Sequence, residues 1–119
     1  MNLMQVQTSP DLKNVLSSFS ALSDPLRLQI VELLRSQELC VCELRSQLDV
    51  GPSKLSFHLK QLKEANLLRS HHKGRWIYYS LNLSQFVVLE QYLAEYRRFS
   101  PTVPVANDLK RDKLVGNRC

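Results

Sequence analysis

The chain has 119 residues, 44% apolar and 23% charged, with three cysteines and a formal net charge of +5. That length supports one core of ordinary size plus short ends, and the balance of apolar and charged residues argues against disorder throughout. No apolar run approaches the ~18–20 residues that cross a bilayer, and Met1 to Pro10 carry neither the positive charge nor the apolar stretch of a secretory leader. A cytoplasmic location is therefore expected, in which an odd number of cysteines reads as reduced thiols rather than a disulfide framework.

After a flexible segment expected over 1–10, Leu12, Val15, Leu16, Phe19 and Leu22 recur at helical spacing. Asp24 and Pro25 then supply an N-cap and a first-turn proline for a second helix through Leu26, Ile30, Leu33 and Leu34, ending near Gln37. Val41, Leu44 and Leu48 mark a short third helix. Asp49-Val50-Gly51-Pro52 closes it, with glycine expected to make the tight turn and proline to restart a helix, which is a helix-turn-helix join. Leu55, Leu59, Leu62 and Ala65 form the buried stripe of the fourth helix, the candidate recognition helix, leaving Ser53, Lys54, Ser56, Phe57, Lys60, Gln61 and Lys63 off that stripe.

Beyond Asn66 the period falls to two. Leu67 to His71 and Trp76 to Leu81 form a β-hairpin wing about the Lys73-Gly74 turn. Helical spacing returns with Phe86, Leu89, Tyr92, Leu93 and Tyr96, after a cap expected at Ser84. The fold class expected is thus mainly α with a small β-hairpin, a winged helix-turn-helix over 11–99, followed by a flexible tail over 100–119 that ends in Cys119.

Charge is distributed unevenly. From Ser53 to Arg75 there are six positive residues (Lys54, Lys60, Lys63, Arg69, Lys73, Arg75) against Glu64 alone, whereas the rest of the chain balances ten against ten. All of the excess falls on the fourth helix and the wing, which favours a polyanion partner over an ordinary solvated face. In double-stranded DNA, Ser56 and Gln61 suit base edges, while Ser53, Lys54, Lys60 and Lys63 suit the backbone. Lys73 and Arg75 at the glycine-bent wing tip suit phosphates or the minor groove. His58 lies one step from the apolar stripe, so it is either a DNA contact or a packed core residue. The adjacent His71 and His72 point to opposite faces of a strand, a poor geometry for one metal.

Cys40 and Cys42 are soft donors suited to thiophilic ions. Residues at i and i+2 stand about 200° apart on an α-helix, so joint binding to one ion should distort the third helix and, through it, the recognition helix. Two other readings stay open: small, partly buried side chains that pack like hydrophobes, or a redox switch passing through sulfenic acid or a strained disulfide. A winged helix used only as a protein-interaction module is a further alternative. An enzyme is not expected, because the sequence has neither a glycine-rich phosphate loop nor a Cys-x5-Arg anion loop, and no histidine adjoins the paired cysteines.

Four segments, Ala21-Leu22-Ser23-Asp24-Pro25-Leu26-Arg27, Glu38-Leu39-Cys40-Val41-Cys42-Glu43-Leu44, Leu55-Ser56-Phe57-His58-Leu59-Lys60 and Gly74-Arg75-Trp76-Ile77-Tyr78-Tyr79, together resemble the ArsR/SmtB family of metal- and metalloid-sensing repressors. The resemblance spans about residues 11 to 99. It implies a homodimer packed through the first and last helices, repression by binding operator DNA, and release when an inducer binds. Glu-Leu-Cys-Val-Cys resembles the arsenic-binding motif of the arsenical repressors, which implies arsenite or antimonite as inducer, without an organic cofactor. The family's third cysteine falls at Arg45 here, so a third sulfur would come from Cys119, from a small-molecule thiol, or from neither. The chain departs from the zinc sensors in having no histidine in its last helix, from the cadmium and lead sensors in having no amino-terminal cysteine, and from the family's frequent capping serine at Gly51.

Overall fold

A computed structural model describes residues 10–98. The elements in order are α1 (Pro10–Leu22), α2 (Pro25–Leu33), β1 (Leu39–Cys40), α3 (Val41–Leu48), α4 (Pro52–Glu64), β2 (Leu68–Lys73), β3 (Trp76–Leu81) and α5 (Leu83–Arg98). The mainly helical winged helix-turn-helix expected from the sequence is present, with one addition. The hairpin is widened by β1 into a three-stranded antiparallel sheet of order β1-β3-β2, in which Leu39 faces Tyr79 and Cys40 faces Tyr78. A two-residue strand has no readable alternation, so this pairing leaves no trace in the sequence. The N-terminal segment, the tail and Cys119 lie outside the described residues.

The chain divides into two compact units, one through Leu89 and one from Glu90, so the boundary falls inside α5. In the first unit, Ile30, Leu44, Leu55, Leu59, Leu62 and Leu67 are almost wholly shielded from solvent and join α2, α3, α4 and the start of the wing in one core. In the described part of the second unit, the Tyr92 and Tyr96 hydroxyls lie 2.8 Å apart with their rings edge to face, and Arg98 pairs with Glu95 at 2.7 Å.

Asp24 caps α2 as expected, its Oδ1 accepting from the backbone N–H groups of Leu26 at 2.9 Å and Arg27 at 3.1 Å. The helix ends at Leu33, short of Gln37. Between α3 and α4 the tight turn falls on Asp49 (φ 52, ψ 53), not on Gly51, which is extended and caps α4. A short polar side chain tolerates the left-handed region better than most, so aspartate serves where glycine was expected. In the wing the expected residue does serve, since Gly74 has φ 62. Ser84 is the second residue of α5 rather than its cap, and its hydroxyl donates to Asn82 Oδ1 at 2.9 Å.

The face α1 turns to the core also differs from the expected stripe. Val15, Ser18 and Ala21 are the buried line, while Leu16 is 53% exposed. Ser18 is tolerated there because its hydroxyl donates to the carbonyl of Ala65 at 3.0 Å and accepts from Gln85 Nε2 at 2.8 Å. Gln85 Oε1 in turn accepts from Asn14 and Asn66, each at 3.3 Å, and the Asn82 amide donates to the Asn66 carbonyl at 2.8 Å. This polar cluster ties α1 and the start of α5 to the C-terminal end of α4.

Candidate nucleic-acid interface and thiol site

Helix α4 buries Leu55, His58, Leu59 and Leu62. Its opposite face follows at i, i+4 and i+7 from Ser53, through Phe57 and Lys60, with Lys54 and Ser56 beside it, all exposed. Of the residues expected to meet DNA, these polar ones stand together on one face. Lys63 lies to the wing side, its Nζ donating to Ser70 Oγ at 2.6 Å. Gln61 is half-buried and lines a hollow of about 170 Å³ with Ser17, Ser20 and Arg27, so it turns toward α1 and α2.

His58 takes the packed alternative. It is 7% exposed, and its Nδ1 accepts from Arg27 Nε at 2.9 Å. The same guanidinium lies 5.8 Å from the centre of the Phe57 ring, which also meets His58 edge to face at 5.3 Å. Arg27, a residue of α2 without an expected role, thus braces the fourth helix; only the three-dimensional fold brings it there.

At the wing, Arg75 is exposed beside Gly74. Lys73 is exposed but paired, its Nζ donating to Glu38 Oε1 at 2.8 Å and lying 4.8 Å from the centre of the Tyr78 ring. His71 stacks on Tyr78 and approaches Glu38 Oε2 at 3.5 Å. Glu38 carried no expected role either. The Lys73 ammonium holds its carboxyl below the usual carboxylate value, and the carboxylate raises that of Lys73.

Cys40 and Cys42 do not share a helix. Cys40 is the N-cap of α3 with an extended backbone (φ −84, ψ 167), is 7% exposed and belongs to β1, whereas Cys42 is exposed in the first turn of α3. The 200° separation of a regular helix therefore does not describe the pair. The reason is a capping arrangement in which the Cys40 N–H donates to Glu43 Oε1 at 2.9 Å, while pairing with Tyr78 keeps the same residue extended. The Cys40 N–H, and then its thiol, hold the Glu43 carboxyl below its usual value. Cys42 lines an open hollow of about 320 Å³ with Arg45, Ser46, Asp49 and Val50. No group of three or more His, Cys, Asp or Glu side chains is placed to hold a metal among the described residues. Two thiols at a strand-to-helix junction thus form the whole soft-donor set of the described chain.

Residues 24–70 match the family described as bacterial regulatory protein, arsR family. An arsenical resistance operon repressor of Bacillus subtilis is 46% identical over 72 residues, 60% of this chain and 69% of that protein. An SmtB homolog, a transcriptional repressor of Synechocystis sp., is 34% identical over 92 residues, 77% of this chain and 70% of the relative. The match to the arsenic resistance regulator ArsR1 of Pseudomonas putida, 45% identical, spans 54% of this chain but only about half (51%) of that relative. Among solved structures, an ArsR family transcriptional regulator aligns with a TM-score of 0.69 at 24% identity over 77% of this chain and 95% of its own, a likeness of fold. A possible transcriptional regulator for arsenical resistance aligns at 0.61 and 26% identity, over 74% of this chain and 98% of its own. With the helix-turn-helix, the wing and these relatives in agreement, the chain belongs to the ArsR family of bacterial transcriptional regulators and is not an enzyme.

Proposed function

We propose that the chain is a homodimeric repressor that holds operator DNA through α4 and the wing and releases it when trivalent arsenic or antimony binds Cys40 and Cys42. The observation that carries this reading is the position of Cys40. Its backbone caps α3, the helix that the turn at Asp49 joins to α4, and it also pairs with β3 of the wing. An ion bonded to both sulfurs ties a buried thiol at the end of β1 to an exposed one in the first turn of α3, and in this reading that constraint on the junction disfavours the DNA-bound arrangement. The DNA face is drawn through Ser53, Lys54, Ser56 and Lys60, with Lys63, Lys73 and Arg75 toward the wing and Gln61 at its margin; buried His58 is left out. Leu16 on α1 and the exposed Leu83 and Val87 on α5 support dimer packing through these helices. The names of the arsenical repressors among the relatives support the choice of inducer.

The test is the release of a duplex from the reduced protein's own promoter on titration with arsenite. Release is expected for the wild type and for Cys119→Ser if two sulfurs suffice, and its loss is expected for Cys40→Ser and Cys42→Ser. Arsenic–sulfur coordination measured by X-ray absorption, falling from three to two on Cys119→Ser, would assign the tail cysteine as a ligand. The exposure of Cys42 beside Arg45 favours one second reading, a redox switch. Release by peroxide and not by arsenite would replace the metalloid reading with it.

A further inference from the structure

Phe57 is the one large apolar side chain on the outer face of α4, 53% exposed and flanked on that face by Ser53 and Lys60. Its exposure is not a consequence of looseness. The Arg27 guanidinium stands 5.8 Å from the ring centre, and Arg27 is itself anchored on His58 at 2.9 Å and on the Ala21 carbonyl at 3.4 Å. The ring also rests edge to face against His58. A buried histidine and an anchored arginine therefore hold an aromatic side chain outward, in the middle of a basic face.

A base pair offers one apolar group in the major groove, the C5-methyl of thymine, and a phenyl ring is among the side chains that suit it. We propose that Phe57 is a specificity-determining residue that packs on a thymine methyl of the operator, with Arg27 and His58 as its positioning residues. This rests on the DNA-binding reading of α4. It assigns a thymine preference to a side chain without a hydrogen-bonding group, in addition to any readout by Ser56. Glycine or alanine here would leave the lysines to bind backbone phosphate with less discrimination between sequences.

The experiment uses the full-length reduced protein and the tightest duplex recovered from a random DNA library. Each thymine in that duplex is replaced singly by deoxyuridine, which removes the methyl and keeps base pairing. At one or more positions the wild type should lose about four-fold in affinity, the equivalent of one methyl group no longer buried. At those positions Phe57→Ala should bind the thymine and uracil duplexes equally, while Phe57→Leu keeps part of the discrimination. About half of the side chain is exposed, so these variants are expected to stay folded, and thermal melts of each check that. Binding that tolerates uracil everywhere, or a uracil penalty that persists undiminished in Phe57→Ala, overturns the assignment and leaves the DNA-binding reading intact. Failure to recover any bound duplex overturns both.

Discussion

Replacing Ser18 with alanine should destabilise the protein far more than the loss of one hydroxyl on a helix suggests. The side chain is fully buried, donates to the Ala65 carbonyl at 3.0 Å and accepts from Gln85 Nε2 at 2.8 Å. Alanine at this position leaves a buried carbonyl and a buried amide without those partners, at about 1–3 kcal/mol for each orphaned group, or about 2–4 kcal/mol together after partial relaxation. Against the roughly 5–15 kcal/mol by which domains are stable, that is a large fraction. With a urea m-value of about 1–1.5 kcal/mol/M for a domain of this size, the midpoint should fall by about 1.3–4 M at unchanged slope and fixed protein concentration. Adding Gln85→Leu to Ser18→Ala should recover part of the loss, because the orphaned amide is then gone and Asn14 and Asn66 sit where water reaches them. A single-variant loss under about 0.5 kcal/mol, or a double variant whose losses simply add, would refute the view that these bonds hold α1 and α5 to the end of the recognition helix.

Glu38→Gln frees Lys73 and His71 from an anion that competes with DNA phosphate, so duplex affinity should rise by two- to five-fold, the range of a surface ion pair. The logarithmic salt dependence should also steepen by up to about 0.9; in Lys73→Gln/Glu38→Gln that added slope should vanish, and an unchanged slope in Glu38→Gln itself would deny the competition. Asp24 gives a pH test. The N–H of Arg27, with lesser help from His58 and the N–H of Leu26, holds its carboxyl below the ordinary 3.8. Ionisation of a group with a depressed folded value stabilises the fold fully above its unfolded value and ceases to do so as pH falls through the folded one. The stability gap between wild type and Asp24→Ala in thermal melts should therefore be level from neutrality down to about pH 5 and narrow below about pH 4; a gap that widens in acid would contradict the cap.

The helices and the wing were legible because their apolar residues keep a clean period and their ends carry strong signals, Asp24-Pro25 and Lys73-Gly74 above all. The basic face was legible as charge density along Ser53 to Arg75. Illegible were the features that depend on residues far apart in the chain. Periodicity assigns Leu16 to the core and Ser18 to the surface, because it cannot see the Ala65 carbonyl and the Gln85 amide that make a buried hydroxyl acceptable. It cannot see Arg27 reaching His58 across 31 positions either. The turn at Asp49 was misplaced onto Gly51 by preference alone, since glycine is the commoner occupant of the left-handed region. The cysteine pair was placed on one helix for want of any sign that Cys40 is held extended by a partner strand some forty residues downstream.

That short strand gives the molecule a built-in reporter. The Cys40 amide proton is spent on the Glu43 carboxylate, while the same residue registers against Tyr78. Its chemical shift and exchange rate thus record the integrity of one helix start and one sheet edge in a single resonance. A protein labelled with nitrogen-15 at cysteine alone contains three such amides, and of the two in the described residues Cys40 is the one shared by the start of α3 and the sheet of the wing. A single peak followed through titration with duplex or thiophilic ion would distinguish motion at this junction from events confined to the exposed thiol of Cys42.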